Sequence, residues 1–228
     1  MTKEIKILGA VAAVVIIVAG VATYFYNRSA QAPKPAVTSS NTSKPAGGEL
    51  IRPDSPVLGP ADAKVTLVEF YDPECEACAA FSPVVKKLLK ENEGKIRLVA
   101  RYMPLHPNSV AAANFLEAAN EEGKYWQAMD TLFQKQGEWG TKHGPPTPTS
   151  GPSVPELFDK YAMEMGLNLG KVSSAVKENR YKEKIERDKK DGQGLGVRRT
   201  PTFFVNGREL VRFGEPDLRA LINEEMNK

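Results

Sequence analysis

The 228-residue sequence predicts an α/β domain carried behind a membrane-spanning helix and a polar tether. Three observations predict it. An apolar, β-branched run at 65–71 (VTLVEFY) gives way at Cys75 to an apolar period of three and four, the pattern of a strand feeding a helix. A second strand pattern at 95–103 follows that helix, and late in the chain a strand, an Asn-Gly turn and a further strand precede a last helix. Finally, residues 7–26 are twenty consecutive positions without a charge, and a helix of that length spans about 30 Å, the thickness of a hydrocarbon core.

Residues 1–6 carry Lys3 and Lys6 and read as a cytoplasmic N-terminus. Residues 7–26 read as an anchor, ending in Tyr24, Phe25 and Tyr26 at the membrane interface. A cleaved signal peptide would have a shorter apolar region, about 7–15 residues. The small-x-small site at Ala30 to Ala32 is followed by Pro33, a poor neighbour for cleavage, so an uncleaved anchor is favoured. Residues 27–53 are built from Ser, Thr, Ala, Pro, Lys and Gly without apolar periodicity and read as a disordered tether. Residues 1–53 hold six Lys/Arg against two Asp/Glu, whereas the remainder holds 25 against 26. The basic balance therefore lies in the tail and the remainder shows no nucleic-acid footprint; the lipid bilayer is expected as a partner through the N-terminal anchor.

Cys75 and Cys78 are the only cysteines. Set at the start of a helix, Cys75 sits where unpaired backbone N–H groups and the helix dipole stabilise a thiolate. Cys78 is one turn on, on the same side, and can close a disulfide with it. One exposed attacking sulfur beside one sheltered resolving sulfur is what thiol–disulfide exchange needs. A structural disulfide here would close a very short loop and constrain the unfolded chain little. A zinc site would need about two more ligands, and only His106 and His143 are present, far apart in sequence.

Around this centre, Asp72-Pro73-Glu74 breaks strand from helix, with Asp72 a candidate cap. Helices are expected at 110–122, 124–136, 154–165 and 169–191, and a last one at 216–226. Stretch 137–155 has five prolines and four glycines and reads as a plain surface loop, taking Trp139 and His143 with it. His106, between Pro104 and Pro107, reads as a turn residue more than a proton carrier. Strands are expected at 202–205 and 208–213 about the turn at Asn206 and Gly207.

EFYDPECEAC at 69–78 and GVRRTPTFFVNG at 196–207 together make the chain resemble the DsbA-like branch of the thioredoxin superfamily over about residues 54–228. The resemblance implies a thioredoxin fold with a helical insertion at about 108–190 and a cis peptide between Thr200 and Pro201 packed on the cysteines. It implies Cys75 as nucleophile, Cys78 as resolving thiol and Glu69 as a buried acid taking the resolving thiol's proton. Thr200 and Pro201, with Glu76 and Ala77, would meet substrate, and Pro83 matches the branch's helix-kinking proline. Strongly oxidising members have Pro-His between the cysteines. Glu76-Ala77 here disfavours the thiolate and makes the pair less oxidising, unless Arg198 or Arg199 reaches the sulfur.

The expected function is thiol–disulfide exchange with cysteines of other proteins, most simply as an oxidase, outside the cytoplasm of a bacterial cell. The domain would be held to the cytoplasmic membrane by a single span and face the periplasmic side. A membrane redox partner would recycle the pair, and no cofactor or metal is called for. A reductase or isomerase, a non-catalytic thioredoxin-fold binding module and a soft-metal thiolate carrier are the alternatives.

Overall fold

The structure, a computed structural model, describes residues 48–141 and 151–228. The anchor expected at 7–26, most of the tether and His143 lie outside the described residues. Among those described, no helix is long and apolar enough to cross a membrane.

Among the described residues, five strands form one mixed sheet in the order β1-β3-β2-β4-β5. At its centre β2 (Val65–Tyr71) has no exposed position, which is why its sequence is an unbroken apolar run apart from Thr66 and Glu69. Helix α1 (Glu76–Glu91) carries the chain across to β3 (Ile96–Tyr102), parallel to β2 from Val65 opposite Ile96 to Tyr71 opposite Tyr102. On the other side of β2 lies β4 (Thr202–Val205), antiparallel, followed by β5 (Arg208–Glu209). The edge strand β1 (Val57–Leu58) pairs antiparallel with β3. Two residues carry no period, so sequence pattern misses β1. It ends at Gly59, where φ is +104° and a Cβ would stand 2.6 Å from the Ile96 carbonyl oxygen.

Among the described residues, six helices lie between β3 and β4: α2 (Ser109–Asn120), α3 (Tyr125–Gln134), α4 (Gln136–Trp139), α5 (Val154–Glu164), α6 (Leu169–Glu178) and α7 (Lys182–Gly194). Helix α8 (Glu215–Met226) follows β5. The face of α1 made by Phe81, Val85 and Leu88 packs with Val65, Leu67, Leu218 and Ile222 on one side of the sheet. Val68, Phe70, Val99 and Phe204 are buried with Leu195 and Val197 in a second cluster. The third cluster is the helical block, and Tyr71, Cys75 and Cys78 belong to it. The cysteines therefore sit where sheet and helical block meet.

Four expectations are corrected. The helix expected at 169–191 is two helices, because Asn179 takes the left-handed conformation (φ 50°). Asn114 fixes that break: its Nδ2 donates to Asn179 Oδ1 (2.7 Å) and its Oδ1 accepts from the Tyr181 N–H (2.9 Å). Trp139 is not in a surface loop. It ends α4, 2% exposed, with Nε1 donating to the Leu132 carbonyl (2.9 Å) and its ring 5.3 Å from that of Phe158. The last strand stops at Glu209, short of the expected 213.

The fourth correction concerns the tether, expected to run to residue 53. Arg101, on β3 and fully buried, donates Nη1 to the carbonyls of Glu49 (2.6 Å) and Leu50 (2.7 Å). Its Nη2 meets Asp191 (2.6 Å) and Asp188 (3.0 Å) on α7, and Arg52 also binds Asp191 (2.7 Å). Burial works against ionising Asp191, but hydrogen bonds from Arg52 and Arg101 hold its carboxyl down to about 2. The folded unit thus begins before residue 54. Replacing Arg101 with Met leaves two buried carboxylates short of a partner and should lower the unfolding free energy by about 3–5 kcal/mol. A urea titration checks this; an unchanged midpoint would show that the cluster holds nothing together.

Candidate redox site

The turn between β2 and α1 is built by two buried acids. Asp72, fully buried, accepts through Oδ1 from the Glu74 N–H (2.8 Å) and the Ser109 hydroxyl. Its Oδ2 accepts from the N–H groups of Leu105 (2.7 Å) and His106 (3.2 Å) and lies 2.7 Å from His106 Nδ1. Glu74, 3% exposed, accepts from the Asn108 N–H (2.6 Å) and Nδ2 (3.0 Å) and from the Thr141 N–H (2.7 Å) and hydroxyl (2.6 Å). Asp72 therefore does not cap α1, as its sequence position suggests. It ties this turn to the turn after β3, and the N-cap falls to Cys75, in extended conformation.

That placement makes the two sulfurs unequal. Cys75 is 7% exposed and Cys78 is wholly buried; both are free. The Cys75 thiol is pulled down from 9.0 to about 6, chiefly because the Cys78 S–H bonds its sulfur; burial opposes this, and the Thr200 side chain and the N–H groups of Cys78 and Ala77 add to it. The expected weakening by Glu76 does not decide the outcome, nor do the arginines reverse it. Arg198 donates to the carbonyls of Gln193 (3.0 Å) and Val197 (3.2 Å), and Arg199 is exposed. Burial, the bond to Cys75 and the charge of Glu69 push the Cys78 thiol up.

The other expected residues gather around this pair. The Thr200–Pro201 peptide is cis, and the Thr200 carbonyl oxygen lies 3.5 Å from Cys75 Sγ. Glu76 and Ala77 are exposed on the first turn of α1. Glu69, in the middle of β2 opposite Ala100 and Phe203, is 7% exposed. Burial, then the charge of Cys75, raise its carboxyl to about 8. It borders a cavity of about 270 Å³ shared with Ser82, Lys86, Trp126 and Asp130. Pro83 lies inside α1, where it withholds one helical N–H.

The arrangement suits exchange. A sulfur ionised at neutral pH stands beside the Thr200 backbone carbonyl, a second thiol is kept protonated behind it, and a carboxyl with proton affinity near neutrality stands close by. The sequence reading missed the parts of Glu74, Ser109, Asn108 and Thr141. The one local signal for them is a pair of acids set between a fully apolar strand and a cysteine.

A family model described as Thioredoxin matches residues 52–224. Among solved structures, oxidised BdbD from Bacillus subtilis has a TM-score of 0.68 at 25% identity, covering 79% of this chain and 97% of that one. α-DsbA1 from Wolbachia pipientis shares the fold, with a TM-score of 0.64 at 20% identity, over 78% of this chain and 92% of that one. A Na(+)/H(+) antiporter NhaA from Herminiimonas arsenicoxydans is 32% identical over 154 residues, 68% of this chain. The chain spans about a quarter of the length of the curated relatives it matches, 22% in that case.

Because Glu69 holds its proton more tightly folded than unfolded, the folded state binds more protons between its ordinary value of 4.5 and about 8. Stability then falls as pH rises through that window, by a few kcal/mol in all. Glu69→Gln should remove this slope, read from denaturation midpoints between about pH 5 and about pH 8. An identical slope in the variant would contradict the raised carboxyl.

Proposed function

The chain belongs to the thioredoxin family, and from that membership we propose that it is a protein thiol–disulfide oxidoreductase acting as an oxidase on cysteines of other proteins. The observation that carries the reading is the inequality of the sulfurs: the less deeply buried Cys75 is held at about 6, and the wholly buried Cys78 is pushed up.

In the oxidised protein a substrate thiolate attacks Cys75 Sγ, forming a mixed disulfide and displacing Cys78 as a thiolate. That thiolate takes a proton, for which Glu69, neutral below about 8, is the donor. A second substrate thiolate attacks the substrate sulfur of the mixed disulfide, and Cys75 leaves as a thiolate. Two electrons pass from two substrate thiols to the pair, and the substrate departs as a disulfide. A low Cys75 value favours this direction twice over, by making Cys75 a good leaving group and by stabilising the reduced pair. An extended substrate strand pairs with the Thr200 backbone beside Pro201 and passes over the exposed Glu76 and Ala77.

Disulfide formation of this kind belongs outside the cytoplasm. The twenty uncharged residues at 7–26 support a single-span anchor in the bacterial cytoplasmic membrane, with the domain on the periplasmic side. A membrane redox partner then reoxidises the pair, since the chain has no third cysteine.

The test is oxidation of a reduced two-cysteine peptide by the full oxidised chain. Cys75→Ser should reduce it to the uncatalysed rate, and Cys78→Ala, loaded with a peptide disulfide, should accumulate a mixed disulfide on Cys75. Retained oxidation by the Cys75→Ser protein would sink the assignment.

A further inference from the structure

His106 lies at the redox face, yet the exchange steps above give it no task. It sits in the turn after β3, 29% exposed in its side chain, and is held twice by the same acid. Its backbone N–H and its ring Nδ1 both meet Asp72 Oδ2, at 3.2 and 2.7 Å, while Leu105 N–H donates to that oxygen as well. A buried carboxylate accepts, so Nδ1 carries the hydrogen and Nε2 is the nitrogen left for other contacts. The ring forms part of the wall of a cavity of about 250 Å³, together with Glu74, Glu76, Gln136 and Thr141. Cys75 stands between those two glutamates at the start of α1.

Asp72 joins the ring to the redox pair, for its backbone carbonyl accepts from the Cys75 N–H (3.1 Å) while its carboxylate holds the ring (2.7 Å). The ionisable groups on this side are therefore Asp72 and Glu74 from the β2–α1 turn, Cys75 at the helix start, and Glu76, which shares the cavity with the ring. All are acidic. Burial lowers the proton affinity of His106, but the hydrogen bond and charge of Asp72, followed by the charges of Cys75 and Glu74, raise it on balance.

We propose that His106, oriented by Asp72, is a positioning group for the redox pair, its imidazolium stabilising the Cys75 thiolate whenever the pair is reduced. This rests on the exchange reading of Cys75. No proton or electron moves in the interaction: when Cys75 leaves the mixed disulfide as a thiolate, it leaves beside a cation. Coupling of this kind is reciprocal, so the thiolate must hold the imidazole's proton as firmly as the imidazolium favours the thiolate.

The experiment follows the His106 ring resonances of the full chain against pH, in the oxidised and in the reduced protein. The proposal expects a higher titration midpoint in the reduced protein, where a thiolate replaces the neutral disulfide. A midpoint equal in the two states overturns it, and this holds without any substitution. His106→Gln should move the ultraviolet thiolate absorbance of Cys75 to higher pH and slow its alkylation near about pH 6 roughly threefold. An unshifted absorbance curve in a folded variant also overturns the proposal. Redox-dependent midpoints in a chain that oxidises no peptide would support the coupling and overturn only the exchange reading. Oxidation that persists with no coupling would overturn only the role of His106.

Discussion

The carboxylate of Asp72 is the interaction on which the redox site depends. It is sealed from solvent and takes hydrogen bonds from its own turn, from the turn after β3 and from Ser109 on α2. A buried charge costs several kcal/mol unless it is fully bonded, so these donors and the acid hold one another in place. Glu74 repeats the device two residues on and reaches Asn108 and Thr141. Together they fix the point at which the chain enters α1, and that point makes Cys75 the N-cap, with its sulfur at the positive end of the helix.

From this one placement the chemistry separates by depth. At the rim, Cys75 meets the backbone of Thr200 and is ionised near neutral pH. One turn in, Cys78 has no exposure, and the same loss of solvent that keeps its proton on also raises Glu69. The low dielectric that penalises the inner thiolate leaves the outer sulfur as the one that ionises. Sheet and helical block both contribute, for the pair belongs to the cluster of Tyr71, Phe115 and Phe158 and not to the sheet's own two cores.

Much of this was legible in the sequence where a local pattern carries it. The strands β2, β3 and β4, the apolar face of α1, the cysteine spacing and the Asn-Gly turn all follow from period and turn chemistry. What escaped depends on partners distant in sequence. Arg101 is a charge in an apolar strand, and its acid, Asp191, lies ninety residues away. Asn179 breaks a helix whose charged, helix-forming composition continues on both sides, because Asn114 offers it a bond. Trp139 lies among glycines and prolines but finds a pocket against Phe158. Asp72 and Glu74 look like turn formers because turn rules see only their neighbours. His106 looks like a turn residue for the same reason.

The direct measurement is the reduction potential of the Cys75–Cys78 pair in the full chain, equilibrated in glutathione buffers. A thiolate stabilised in the reduced state predicts a potential well above the roughly −270 mV of thioredoxin, towards the roughly −120 mV of a strong oxidant. A value at or below about −270 mV would contradict the account, because the lowered Cys75 would then not be stabilising the reduced pair.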